Sequence, residues 1–511
     1  MNPQGVDRMK PKNMSYTRPK SRAAAHLVGV PLLMGLGAVG ANVPAMAQDN
    51  GVGPPLSLDR VGVLESTSTG RFNTGSTNGF FAQLGTNGRT CGTCHVEADA
   101  WTFTPLHAER LDRRDPLFDP VDGSDCPPVS SNQGPNSTNS SMVLKYGVIR
   151  IQLAIPATAN FTLASASNPK GCAVAPGSQS ISGDLFLFRR PLPTTNLMFL
   201  SAVMWDGRES LQKITTQAGE QSTAPLLFNL ADQANSATTQ HAQGAPIVDT
   251  QAQQDIVTFE TGLSTAQVVL VPNLGIALLD LGAQGGADYV QNTLAPAFSI
   301  GVNDPLNPPF SNTIFTLYSA WEPSSPQHRR LSPVQQAIGR GEAIFNTTTF
   351  VVHDVPGLNS VPSDPLYNPA DPLAGQDVVA GCGLCHNNPN VGNHSTALAI
   401  NIGLTMAHPT NNDGSANNEL DLANLPVYAL TNSSGATVQV TDPGKAMISG
   451  KWTDVGKTKG PILRGLAARA PYFHNGSAKD LATVVSFYNQ RFNIGLTAQQ
   501  QSDLVTFLEA L

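Results

Sequence analysis

Two short matching runs of cysteine and histidine constrain this chain more than any other feature. Cys91-Gly92-Thr93-Cys94-His95 and Cys382-Gly383-Leu384-Cys385-His386 share the pattern Cys-x-x-Cys-His. Two thiols about one turn apart can each add to a vinyl group of the same porphyrin. The adjacent histidine then lies under the iron as an imidazole ligand. A redox dithiol or half a zinc site uses the Cys-x-x-Cys spacing but has no need of a histidine in fifth position. The expectation is two covalent c-type haems, attached through Cys91, Cys94, Cys382 and Cys385, with His95 and His386 on the irons.

The motifs lie 291 residues apart, so each can own a domain. A short repeat supports duplication: Asp255-Ile256-Val257-Thr258-Phe259 recurs as Asp503-Leu504-Val505-Thr506-Phe507, each after a Gln-rich lead-in. The expected fold is mainly α, with two cytochrome c-like haem domains in tandem, residues 48–330 and 331–511. In the second, Ser332 caps a helix with Pro333 at its first position. Val334, Ala337, Ile338, Gly341, Ile344 and Phe345 line one face, and Gly339 and Gly341 allow close helix approach. At the far end Thr497 and Gln500 form a capping box ahead of the stripe Leu504, Phe507, Leu508 and Leu511. The first unit carries a β-containing insertion. Ile149, Ile151, Leu153 and Ile155 alternate as in a half-buried strand, and Phe161–Leu163 and Leu185–Phe188 are further strand candidates. The boundary is expected near Pro323–Leu331, a polar stretch with two prolines.

The first 47 residues have the pattern of a signal peptide. Arg8, Lys10, Lys12, Arg18, Lys20 and Arg22 precede an apolar run from Leu27 to Val43, and Ala45-Met46-Ala47 offers a cleavage site. This implies a periplasmic protein, with no membrane span once the signal is removed. The net charge of −7 falls to −12 without that segment, which holds six basic side chains and one acid. Such a balance argues against nucleic acid as a partner and for a basic one. In an oxidising compartment the two remaining cysteines, Cys126 and Cys172, are expected to pair, closing a loop worth about 4 kcal/mol in the chain-entropy model.

Beyond the haem motifs, two segments carry a family likeness. One is Met204-Trp205-Asp206-Gly207-Arg208. The other runs from Lys459-Gly460-Pro461-Ile462-Leu463-Arg464-Gly465-Leu466 to Ala470-Pro471-Tyr472-Phe473-His474-Asn475-Gly476-Ser477. With these the chain resembles the bacterial dihaem cytochrome c peroxidase superfamily. That group includes dihaem enzymes that mature a protein cofactor with peroxide and, more distantly, oxygenases that cleave polyisoprene. The resemblance implies a reactive N-terminal haem, a C-terminal haem that stores or delivers electrons, and a Trp between them, here Trp205. Calcium between the haems occurs in some relatives, and Pro461 sits near the matching loop.

The distal residues depart from the peroxidase pattern. Peroxidases place a Met ligand for the C-terminal haem after the Pro-Tyr-Phe-His-x-Gly-Ser motif. Here that segment is Val484-Val485-Ser486-Phe487-Tyr488-Asn489, and no Met follows Met447. Tyr488 falls on the ligand position, as Tyr does in the cofactor-maturing relatives; His474, Met406 and His394 are the alternatives. At the N-terminal haem, peroxidases have a distal Glu after a Gln-Ala segment. Here Gln233-Ala234 leads to His241 and Gln243. His241 precedes Asp255 much as Tyr488 precedes Asp503, so it is expected to face the iron, as an acid–base group or as a blocking ligand. Gln243 would assist by hydrogen bonding, and His107 is a weaker rival.

These features lead to a peroxidase-type oxidoreductase that reduces hydrogen peroxide at the N-terminal haem with electrons relayed through the C-terminal haem. His241, Trp205 and Gln243 are the catalytic candidates and a small donor protein or reducing substrate the electron source. The alternatives are a dihaem electron carrier without peroxide chemistry, or an oxygenase acting on an organic polymer.

Overall fold

The computed structural model describes residues 56–69, 75–127, 134–172, 184–214, 224–247, 249–272, 275–280 and 284–511. All of them fall in one unit, Gly51–Leu511. The segment expected to be a signal peptide, residues 1–47, lies outside the described residues. Among the described residues, five helices exceed ten residues: α1 (Ala224–Gln240), α2 (Thr250–Gly262), α3 (Pro333–Thr347), α4 (Leu481–Arg491) and α5 (Ala498–Glu509). Between them run single turns and small sheets, so the fold is mixed rather than mainly α. The cause is in the composition: 46 Gly and 39 Pro interrupt almost every apolar run before a long helix can form.

The helix signals are realised where the local chemistry is strongest. Ser332 and Gln335 make a reciprocal capping box at α3, with Pro333 in the first turn. Thr497 and Gln500 do the same at α5. The two helices cross in the closest way a backbone permits. A Cβ at Gly341 would lie 2.2 Å from the Asp503 carbonyl oxygen, so only glycine fits. Gly339 serves a different neighbour: its Cβ would lie 2.0 Å from the carbonyl oxygen of Trp321. Arg340 clamps the crossing from outside, with Nε and Nη2 each 2.7 Å from an oxygen of Asp503. Beneath it Phe315, Phe345 and Phe507 stack edge-on or tilted, with centroids 5.0–5.9 Å apart.

The first motif has a comparable aromatic support. Phe259 of α2, the repeat counterpart of Phe507, meets Phe80 at 5.0 Å and Trp101 at 5.5 Å. Phe80 lies 6.1 Å from the His95 ring, and Phe345 lies 6.2 Å from His386. The repeated Phe thus does the same work twice. The repeated Asp does not: Asp255 accepts from Gln251 of its own helix, whereas Asp503 holds Arg340 on another.

Among the described residues, five sheets complete the framework. Strands β1 (Leu56–Leu58), β2 (Gly62–Ser68), β6 (Leu263–Leu270) and β7 (Ala277–Leu278) form an antiparallel sheet in the order β1-β2-β6-β7. Within the expected insertion, β3 (Ile149–Leu153) pairs with β5 (Leu185–Arg189). Ile149 and Ile151 are buried as the alternation requires, but so is Arg150 between them, because its guanidinium donates to the carbonyls of Pro120, Val121 and Ser124. Strand β4 (Phe161–Ser167) leaves the insertion altogether. It pairs with β11 (Val427–Asn432), which carries β12 (Thr437–Val440) on its other edge. The two halves of the chain therefore share a sheet. Three two-stranded pairs remain: β8 (Phe350–Val352) with β9 (Val378–Ala380), and β10 (Ala399–Ile400) with β13 (Thr458–Lys459) make two of them, β3 with β5 the third. Cys126 and Cys172 are joined in a disulfide with Cα atoms 5.4 Å apart. Among the described residues no helix is long and apolar enough to cross a membrane.

Candidate haem sites

Each Cys-x-x-Cys-His run forms a single tight turn, Cys91–Thr93 and Cys382–Leu384, and then presents its histidine the same way. The backbone N–H of His95 donates to the Cys91 carbonyl at 3.0 Å, and that of His386 to Cys382 at 3.0 Å. The ring Nδ1 of His95 lies 3.0 Å from the Trp101 carbonyl oxygen, and Nδ1 of His386 lies 2.6 Å from that of Gly392. A carbonyl only accepts, so Nδ1 carries the proton in both rings. That leaves Nε2 with a free lone pair, the tautomer a metal needs. Burial disfavours the charged form of both rings, lowering His95 to about 4 and His386 below its ordinary value. Burial also pushes the Cys94, Cys382 and Cys385 thiols up to about 12 and raises Cys91 too. Such thiols are not poised for disulfide exchange. Among the described residues no group of three or more His, Cys, Asp or Glu side chains could hold a metal ion by itself.

Cys91, Cys94 and His95 open onto one cavity. Its walls include Leu84, Leu197, Leu200, Val203, Leu230 and Ile462, and Arg189, Arg190, Arg208 and Lys459 also reach it. An apolar cradle with cations at hand, thiols and an imidazole on one wall fits a porphyrin with two carboxylate arms. The fit is a property of this chain's donor set and cavity.

His241, just beyond the C-terminus of α1, lines the same cavity. Its Nδ1 lies 2.5 Å from Oδ2 of Asp122, and Asp122 is also paired with Arg89. Burial opposes charge on Asp122, but Arg89 and His241 hold its carboxyl below the usual range. Arg89 is in turn anchored on the carbonyls of Pro116 and Leu117 and on that of His241 itself, and Asn87 donates to the same His241 carbonyl at 2.9 Å. Ring and backbone of His241 are thus both fixed. With Asp122 ionised, Nδ1 is the donor and Nε2 the free nitrogen. Gln243, in contrast, is exposed and absent from the cavity wall; its backbone is left-handed and its carbonyl accepts from Thr86. His107 lies in the short helix Pro105–Ala108, away from the cavity lining.

Trp205 is part of the cavity wall. Its indole N–H donates to the Arg190 carbonyl at 2.8 Å, and its carbonyl accepts from Lys459 N–H at 2.9 Å. Lys459 pairs with Ala399 across β10 and β13, and the neighbouring Ile400 packs in the apolar cluster that contains Cys385 and Tyr488. Trp205 therefore stands one strand pair from the surroundings of the second motif. Its other neighbour is His474, with ring centroids 6.2 Å apart. Arg189 locks this region by pairing with both Asp206 and Asp442, and Asp206 holds Arg208.

Around the second motif, Tyr488 of α4 lies with its ring 6.4 Å from His386, among Phe473, Phe487 and Phe492. Its hydroxyl has no hydrogen-bond partner among the described residues, and burial together with the two thiols raises its pKa above the ordinary value. The alternatives lie elsewhere. Met406 packs in the core under β11 and β12, with its sulfur 3.5 Å from the Asn401 amide. His474 sits beside Trp205 and Asp442. His394 is tied through Nδ1 to Asn387 at 2.7 Å.

Asp122, Arg89 and Glu260 belong to this site without having been expected there. Asp122 and Arg89 are far from His241 in sequence and carried no local signal. Glu260 did carry one. The repeat aligns it with Leu508, so it is a carboxyl at a buried apolar position.

No family model matches the chain. Among curated proteins, it is 36% identical over 138 residues to the cytochrome-c peroxidase IdrP2 of Denitromonas iodatirespirans, covering 26% of this chain and 36% of that one. It is 32% identical over 153 residues to the cytochrome-c peroxidase IdrP1 of the same organism, covering 26% and 37%. It is 33% identical over 139 residues to IdrP2 of Pseudomonas sp. strain SCT. The matches span little more than a third of the length of these relatives. They support a distant, superfamily-level link to cytochrome-c peroxidases.

Proposed function

We propose that this chain is a periplasmic dihaem c-type oxidoreductase that reduces hydrogen peroxide at the site built on His95. The observation that carries the reading is the pairing of His241 with Asp122 in the cavity that His95 also lines. When bound, the haems supply an open iron for peroxide and a store of electrons. Cys91, Cys94 and His95 would hold the first, and Cys382, Cys385 and His386 the second, where Tyr488 would be a further ligand.

The protein's own work is positional and acid–base. Asp122 keeps Nδ1 of His241 protonated and the ring fixed, so Nε2 is the base. It takes the proton from one peroxide oxygen and returns it to the other, which leaves as water. The apolar walls exclude bulk water from this exchange. The remaining oxygen leaves as a second water after taking two protons and two electrons, which a small reduced carrier protein or a reducing substrate supplies. Trp205 lies where electrons from the second site would pass.

The test is peroxide-dependent oxidation of a small reduced c-type cytochrome. His241→Ala should lower kcat/KM at least about 100-fold, as general acid–base groups contribute 10²–10⁴. Asp122→Asn should lower it less, through loss of orientation. If the ferric wild-type protein shows two strong protein ligands at both irons and no reaction with peroxide, the chain is an electron carrier, with His241 as a ligand.

A further inference from the structure

The cavity holds a second acid that the mechanism above does not use. Glu260 lies on α2 and its side chain lines the same cavity as His95 and His241. The residue is only 4% exposed. Neither carboxyl oxygen takes a hydrogen bond among the described residues, and Oε2 is sealed from solvent. Its repeat counterpart, Leu508, is a buried apolar residue, so the helix does not need a carboxyl here to pack. A buried polar group without a partner is costly, and one that faces a cavity is available to whatever fills it.

We propose that Glu260 is a neutral carboxylic acid that delivers a proton to the oxygen remaining in the cavity after the first water has left. The inference rests on the peroxidase reading. Peroxide plus two electrons and two protons gives two waters. His241 only moves a proton that peroxide brought with it, so both added protons must come from elsewhere. Glu260 gives one: its O–H bond breaks, a new O–H bond forms on the second oxygen, and the carboxylate is reloaded from solvent before the next turnover. The other proton comes from solvent directly. Burial favours the neutral form that this role requires.

The test uses the holoprotein and two variants, Glu260→Gln and Glu260→Leu. The Leu variant copies position 508 and keeps the helix packed. At pH 7 the infrared difference between wild type and Glu260→Gln should show the carbonyl stretch of one protonated carboxyl; its absence overturns the proposal. Both variants should retain two haems and an unchanged ferric spectrum, while kcat for peroxide falls at least tenfold with KM nearly constant. Turnover equal to wild type in both variants overturns the inference and leaves the peroxidase reading intact. Absence of turnover in wild type overturns the reading itself and this inference with it.

Discussion

An ionised carboxylate at Glu260 would stand unpaired in a largely apolar wall, and burial accordingly raises this acid to about 8, from an ordinary value near 4.5. The folded chain then binds one proton more than the unfolded chain between those limits, so stability falls as pH rises from about 4.5 to about 8. At about 1.4 kcal/mol per unit, the cost reaches roughly 3 kcal/mol at pH 7. Glu260→Leu should therefore stabilise the fold by that order at pH 7 and by much less at pH 4.5. Denaturant midpoints at the two pH values measure it; an equal gain at both would show that the carboxyl is not held neutral. Tyr488 poses the converse case, an aromatic whose oxygen has no partner among the described residues while its ring meets His386 edge-on. Tyr488→Phe keeps the ring and removes the oxygen. If the phenol is an axial ligand, the ferric spectrum changes at one haem only, since a phenolate favours ferric and higher states. An unchanged spectrum would make Tyr488 a packing residue.

The α3–α5 crossing is the element on which the second site rests, because Phe345 and Phe507 at that crossing support His386. Gly341→Ala would gain about 1 kcal/mol of helix propensity. The new methyl would meet the Asp503 carbonyl at 2.2 Å and force the helices apart, costing about 1–3 kcal/mol or more. Net destabilisation is expected, read as a lower thermal midpoint with both haems still attached; an unchanged or raised midpoint would contradict the crossing. Both caps and both apolar stripes of these helices were legible in the sequence, since capping boxes and helical periodicity are local signals. Sheet partners were not. Nothing near Phe161 states that β4 will pair with Val427–Asn432, more than 250 residues away, because strand pairing depends on the rest of the fold. The buried Arg150 hid for the same reason: alternation puts it outside, and only the three distant carbonyls that accept from it make its burial tolerable.

For the whole molecule, the site was legible in proportion to how local its chemistry is. Both Cys-x-x-Cys-His motifs stand in the sequence as contiguous runs, and the repeat singled out His241, which lines the cavity that the first motif opens onto. The partners that give His241 a direction, Asp122 and Arg89, come from two separate loops more than 100 residues earlier. Gln243 lies two residues from His241 but is turned out to solvent, so proximity in sequence misled there. In the proposed reaction two haems on one chain act together on peroxide at the His95 site. The direct measurement is to reduce the protein fully, remove excess reductant, and titrate it anaerobically with hydrogen peroxide by stopped-flow absorbance. One peroxide takes two electrons, so one equivalent per chain should oxidise both haems, and His241→Ala should slow this at least about 100-fold. Haems that stay reduced at one equivalent, or oxidise at the same rate without His241, would contradict the account.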